Sequence, residues 1–269
     1  MRILDLDMDY FMTKIATDVG ESITDRLDED YYGNAVWPED QVRAFLESNL
    51  GLSKDNPLLG RIVTGHNEAL HFWKELIQQG DLAVPFEVIH VDSHADLGLG
   101  YDTEHFFRTT LLQWPPDERP DHSVRINCFG KQCADGIGDY LLFAIAYRWI
   151  NSLTYCANPY SEANDYDIYT LKGFNEKMIF DHPVANIIQL LYNPDMECPD
   201  LSYDSPRKIE QFIKNSIPEP EVPFIIIPSI DDVKYDGNFD FVVLAQSPNY
   251  TPASADFIMD IFREYIVEI

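Results

Sequence analysis

Residues 2–10 read Arg2-Ile3-Leu4-Asp5-Leu6-Asp7-Met8-Asp9-Tyr10, and residues 87–97 read Glu87-Val88-Ile89-His90-Val91-Asp92-Ser93-His94-Ala95-Asp96-Leu97. Each is an apolar run whose end carries a metal-competent side chain at every second position. Successive strand side chains point to opposite faces. On that reading Asp5, Asp7 and Asp9 share one side of the first segment, and Asp92, His94 and Asp96 share one side of the second. Carboxylates crowded at the end of a buried strand repel one another and are costly to desolvate unless a cation neutralises them. A divalent metal site, with two ions rather than one, is the expectation.

Further strand-like apolar runs lie at residues 224–228 and 241–245. Continuous apolar runs of this length suit a parallel sheet buried on both faces. Helix-like stretches separate them. Residues 38–50 begin with proline and acids and stop before Gly51, and residues 66–79 carry apolar side chains at helical spacing and stop at Gly80. Residues 138–150 are strongly apolar, while Ser205-Pro206 and Ser254 read as caps of helices running to about 213 and 266. The alternation predicts an α/β fold with a mainly parallel sheet flanked by helices. Active sites of such sheets gather at the carboxyl ends of the strands, where both acidic segments fall. The expected organisation is a single domain over residues 1–269, with an irregular insertion at about 157–204, a stretch rich in Asn, Asp, Tyr and Pro.

Composition narrows the function. The formal net charge of −27 repels phosphate, so nucleic acid and anionic membrane are not expected partners, whereas a cationic substrate, a basic peptide or metal cations are. No apolar run is long enough to cross a membrane. The chain opens on the 2–8 strand rather than a basic and then apolar leader, so no signal peptide is expected. Four cysteines stand without a CxxC pair, which points to a reduced, cytoplasmic setting. Hard divalent ions take carboxylate oxygen, and an added imidazole extends the choice toward Mn, Fe or Zn. With no cysteine near the acids, Mn²⁺ is favoured over structural zinc.

A third segment, Ile62-Val63-Thr64-Gly65-His66-Asn67, is an apolar run that breaks at a glycine and offers His66 before a helix. Together the three segments resemble the ureohydrolase (arginase/agmatinase) superfamily, to which the deacetylase fold is related. The resemblance implies a three-layer arginase/deacetylase-like fold. It also implies two Mn²⁺ ions held by His66, Asp92, His94, Asp96, Asp7 and Asp9. A branch containing peptide arginases is more similar still. Its DxDxDFF-like, HxDSHxDL-like and late ARSP.YTP-like segments correspond to residues 5–11, 90–97 and 245–252, the last reading Ala245-Gln246-Ser247-Pro248-Asn249-Tyr250-Thr251-Pro252.

Three departures stand out. The DxD strand comes first in this chain, its DP ending is replaced by Asp9-Tyr10-Phe11, and Gln246 stands where the branch carries arginine. The second departure leaves Asp5/Asp7 and Asp7/Asp9 as alternative pairs. Asp7 and Asp9 are preferred because more apolar strand then precedes the first ligand.

What the resemblance implies is a manganese-dependent hydrolase of the arginine guanidinium, peptide-bound or in a small guanidino compound, releasing urea and leaving ornithine. Asp92 and Asp7 would bridge the ions, and Asp96 would carry the proton to the leaving nitrogen. A guanidinium needs carboxylate or carbonyl partners, for which Asp139, Asp232 and the neighbourhood of Ser247 are the candidates. Trp37, Tyr101 and Tyr250 are candidate pocket aromatics. Two alternatives stand beside this reading: a metal-dependent amidohydrolase or deacetylase, and a non-enzymatic protein stabilised by a structural cation.

Overall fold

The structure is a computed structural model that describes residues 1–16, 25–29, 36–98, 101–126, 132–161, 170–172, 186–200 and 203–269. In chain order its strands are β1 (Arg2–Asp7), β2 (Leu58–Val63), β3 (Phe86–Asp92), β4 (Arg125–Ile126), β5 (Gln132–Cys133), β6 (Ile150–Ala157), β7 (Ile187–Ile188), β8 (Leu191–Tyr192), β9 (Ile217–Pro218), β10 (Val222–Ile227), β11 (Phe241–Ala245) and β12 (Ile266–Glu268). Its α-helices are α1 (Glu39–Ala44), α2 (Glu68–Gln79), α3 (Tyr101–Thr109), α4 (Tyr140–Ala146), α5 (Pro206–Asn215) and α6 (Phe257–Phe262). Eight strands form one mostly parallel sheet flanked by helices, in the order β12-β2-β11-β1-β3-β6-β10-β7. The α/β class and the parallel sheet therefore stand as expected.

The chain divides into two compact units. The first comprises Met1–Ala95, Leu153–Asn164 and Ile226–Ile269, and the second Asp96–Ser152 and Asp165–Ile225. Much of the expected insertion at 157–204 lies outside the described residues.

In the first unit, five strands run parallel and side by side: β12, β2, β11, β1 and β3. The strict alternation of β1 sends Leu4 and Leu6 to one face and Ile3, Asp5 and Asp7 to the other. Leu4 and Leu6 join Ile89, Val91, Val242 and Leu244 in a buried cluster with Val42, Phe45 and Leu46 from the α1 side and Ile258, Ile261 and Phe262 of α6. Tyr10, Phe11, Trp37 and Phe45 interlock there with ring centroids 5.0–6.0 Å apart. Trp37 is thus a core residue and not a pocket aromatic. Each such ring contributes about 1.5–3 kcal/mol through its burial. The opposite face is covered by α2, whose Phe72 packs on Phe241 and whose Trp73 packs on Phe86. Helices, sheet and helix give this unit three layers.

Local sequence explains the element ends. In α2, Ala69, Leu70, Phe72, Trp73 and Leu76 form the buried stripe, and the Glu68 carboxylate reaches back to accept from the Thr64 backbone N–H at 2.8 Å. Gly80 ends the helix at φ 84 and donates to the Ile77 carbonyl, the left-handed cap anticipated from the glycine. Elsewhere expectation and structure part. Residues 138–150 hold a shorter helix, and Ile150 already begins a strand. Ser254 lies inside a 3-10 turn rather than capping a helix, and Ile266 pairs with Leu58 at the sheet edge.

Candidate metal centre

The site is built within the first unit at the carboxyl ends of four neighbouring parallel strands. β2 leads to His66, β11 to Ser247, β1 to Asp7 and Asp9, and β3 to Asp92 and His94. Neither acidic segment stays extended to its end. β1 stops at Asp7, and Asp9 sits in a 3-10 turn (Met8–Phe11) that Asp7 caps by accepting from the Asp9 N–H at 2.9 Å. β3 stops at Asp92, after which the chain bends. Asp9, His94 and Asp96 are therefore placed by turns and not by strand alternation. Asn158 pins the first turn by donating its side-chain amide to the carbonyls of Tyr10 and Met12, each at 2.9 Å, while its backbone N–H donates to the Asp92 carbonyl.

Three carboxylates are held the same way. One oxygen of each accepts a backbone N–H: Asp7 Oδ1 from Asp9, Asp9 Oδ1 from Ser93 at 3.1 Å, and Asp92 Oδ1 from His94 at 2.8 Å. The other oxygen faces imidazole nitrogen. His66 Nδ1 lies 3.2 Å from Asp7 Oδ2 and 2.9 Å from Asp92 Oδ2. His94 Nδ1 lies 2.9 Å from Asp9 Oδ2 and 3.7 Å from Asp92 Oδ1. Two donor sets result, Asp7/His66/Asp92 and Asp9/Asp92/His94, each with its ligand atoms within 4.8 Å of one another and with Asp92 in both.

The donor set fits divalent ions. Metal bonds of about 2.1 Å to nitrogen and oxygen place neighbouring ligands roughly 3.0–3.4 Å apart, close to the 3.2 and 2.9 Å that separate His66 Nδ1 from its two carboxylates. Asp9 Oδ2 is buried and lies 2.9 Å from His94 Nδ1. A carboxylate oxygen buried there is costly unless a positive charge, an imidazolium or a metal ion, lies beside it.

Electrostatics point the same way. Burial together with the charges of Asp7 and Asp92 pushes the Asp9 carboxyl well above its usual range, in spite of His94. Burial also opposes ionisation of Asp92, but His66 and His94 hold it well below that range. The same acids raise both imidazoles against the effect of burial, His66 through Asp5, Asp7 and Asp92, and His94 through Asp9 and Asp92. Asp5, Asp7, Asp9 and Asp92 are all buried, so the charge of this cluster is set by the imidazoles beside it and by any cation it holds.

The remaining expected residues fall in varied places. Ser247 follows β11 at φ 46 and donates its hydroxyl to Asp7 Oδ2. Tyr250 lies against the His94 ring, centroids 4.8 Å apart. The His94 side chain is 19 % exposed while that of Asp92 is 1 % exposed, so the Asp9/Asp92/His94 set opens toward solvent. Asp232 is exposed in a 3-10 turn. Gln246 donates to Asp256 at 3.1 Å. Asp96 and Asp139 belong to the second unit. Asp96 is buried at φ 49, and Asp139 accepts from the Gly136 N–H at 2.6 Å with Arg125 3.7 Å away. Burial lifts the Asp139 carboxyl to about 6. The Tyr101 side chain lies outside the described residues.

Sequence reasoning misses His90 as a participant and the partnership of Asp5 with it. His90 is fully buried beside Asp92, and Asp5 is expected only as the alternative to Asp9 in the ligand pair. Asp5 contacts both His66 and His90. The available signal was strand alternation, which puts His90 on the face of Asp92 and Asp5 on the face of Asp7.

Searches for similar proteins found no matching family model, no matching curated protein and no matching solved structure.

Proposed function

We propose that this chain is a two-metal, manganese-dependent hydrolase that cleaves the guanidinium of an arginine side chain, within a peptide, to urea and ornithine. The observation that carries the metal half is the pair of donor sets sharing Asp92 at the ends of adjacent parallel strands. The support for arginine is the likeness of residues 5–11, 90–97 and 245–252 to the peptide arginase branch, together with a net charge of −27 that suits a basic substrate.

His66, Asp7 and Asp92 would hold one ion and Asp9, Asp92 and His94 the other. When bound, such a pair supplies the acidity that makes water a nucleophile near neutral pH. The chain's own residues do the rest. Backbone amides fix one oxygen of each aspartate, so the other oxygen is already oriented before any ion arrives. Ser247 restrains Asp7 Oδ2 in the same way. Tyr250, beside the one ligand that reaches solvent, offers an aromatic face to an incoming guanidinium. Asp96, the next acid along the chain, is the proposed proton donor to the leaving nitrogen.

The solvent opening at His94 favours an enzyme over a closed structural cation site. The test is to load the purified protein with Mn²⁺, add an arginine-containing peptide, and assay urea release together with a mass loss of one cyanamide unit. Acetate released from acetyl-lysine would instead support a deacetylase. Stabilisation by metal with no product from any guanidine or amide would support the structural reading.

A further inference from the structure

Behind the two donor sets lies a second, deeper group: Asp5, His66 and His90. Asp5 and His90 are register partners on the adjacent parallel strands β1 and β3, and both are fully buried. Asp5 Oδ2 lies 3.0 Å from His90 Nδ1, and Asp5 Oδ1 lies 3.3 Å from His66 Nε2. His90 Nε2 lies 3.0 Å from the His94 carbonyl oxygen and 3.4 Å from Asp92 Oδ2. The His66 and His90 rings stack with centroids 5.2 Å apart.

Proton accounting assigns roles to these atoms. A carbonyl oxygen only accepts, so His90 Nε2 carries a hydrogen and donates it. His90 Nδ1 then faces a carboxylate oxygen, and a proton must lie between them. Both nitrogens of His90 are committed, which removes it as a ligand. The second Asp5 oxygen is left to accept from His66 Nε2. That hydrogen on Nε2 frees the Nδ1 lone pair, which points at Asp7 Oδ2 and Asp92 Oδ2.

We propose that Asp5 and His90 are positioning residues that fix His66 as its Nε2–H tautomer, so that Nδ1 is the metal donor. Histidine ligands commonly owe their orientation to a carboxylate behind the ring. Here the carboxylate is in turn held by a second imidazole, whose other nitrogen is anchored on the His94 carbonyl. The chain of contacts thereby links the ligand histidines of the two donor sets.

This inference rests on the two-ion reading, and cadmium is a probe that tests the two apart. In protein labelled with 15N on histidine and titrated with 113Cd²⁺, the His66 resonances should show cadmium on Nδ1 and a retained hydrogen on Nε2. Cd²⁺ affinity, read by competition with a chromogenic chelator, should fall about 10–100-fold in Asp5→Asn. His90→Gln, which keeps a donor toward Asp5, should lose less affinity than His90→Leu. Cadmium on His66 Nε2, or an Asp5→Asn affinity within about twofold of the parent, would overturn the positioning role and leave the two-ion reading intact. Absence of any Cd²⁺ binding by the parent protein would overturn both.

Discussion

Asp92 is the side chain through which the two donor sets meet, since His66 and His94 approach its two different oxygens. Removing it should damage both sets at once, whereas losing either histidine should damage one. Asp92→Asn is expected to weaken Mn²⁺ binding by more than the roughly 100-fold that loss of a supporting partner costs. His66→Ala and His94→Ala should each retain one tight ion, read as bound metal per chain after dialysis. Asp139 has a different consequence. Its carboxyl, lifted by burial to about 6, favours the folded state while protonated. That contribution is complete below about pH 4 and is lost as pH rises through 6, a change on the order of 3 kcal/mol. Asp139→Asn does not titrate, so its stability relative to the parent should rise by up to that amount between pH 4 and pH 7 in urea unfolding. An unchanged difference across that interval would refute the assignment. At this scale most of the site was legible: Asp7, Asp9, Asp92 and His94 because few structures tolerate so many acids beside apolar runs, and His66 through the likeness of its segment to a known family. Asp5 was legible as an alternative ligand, but its pairing with His90 was not, because that depends on the register between two strands 85 positions apart in the chain.

At the level of elements, turns do the work that strand alternation was expected to do. Asp9 reaches the site because Asp7 caps a 3-10 turn, and His94 reaches it because Asp92 accepts from the His94 N–H in a short bend. Periodicity identifies where a strand begins more readily than where a side-chain cap ends it. The same limit explains Ile150–Ala157, a strand entered almost directly from an apolar helix with no glycine or proline between. Ser247 shows how an element end supplies both geometry and chemistry. Its φ of 46 is a conformation that suits glycine, yet its hydroxyl holds Asp7. Ser247→Ala loses the hydroxyl and keeps the backbone strain, while Ser247→Gly loses the hydroxyl and relieves it. Both should weaken Mn²⁺ binding to a similar degree, and in metal-free thermal unfolding the glycine variant should be the more stable by about 1 kcal/mol. Equal stability of the two variants would argue against strain at this position.

Across the whole molecule, acidity and site belong to one account. A chain of net charge −27 that also gathers Asp5, Asp7, Asp9 and Asp92 around His66, His90 and His94 is one that cations should favour. Divalent ions that bind only the folded chain should therefore stabilise it, by about 2.7 kcal/mol at a hundredfold excess over the dissociation constant. Addition and subsequent chelation of Mn²⁺ during denaturant unfolding would show whether that gain appears and reverses. The α/β class was legible in the alternation of apolar runs and helical stripes. The division into two units was not, because it follows from contacts among segments distant in the chain. The most direct measurement is anomalous diffraction at the manganese edge from crystals grown with Mn²⁺. Two peaks are predicted, one among His66 Nδ1, Asp7 and Asp92 and the other among Asp9, Asp92 and His94. A map with no peak among these side chains would contradict the account.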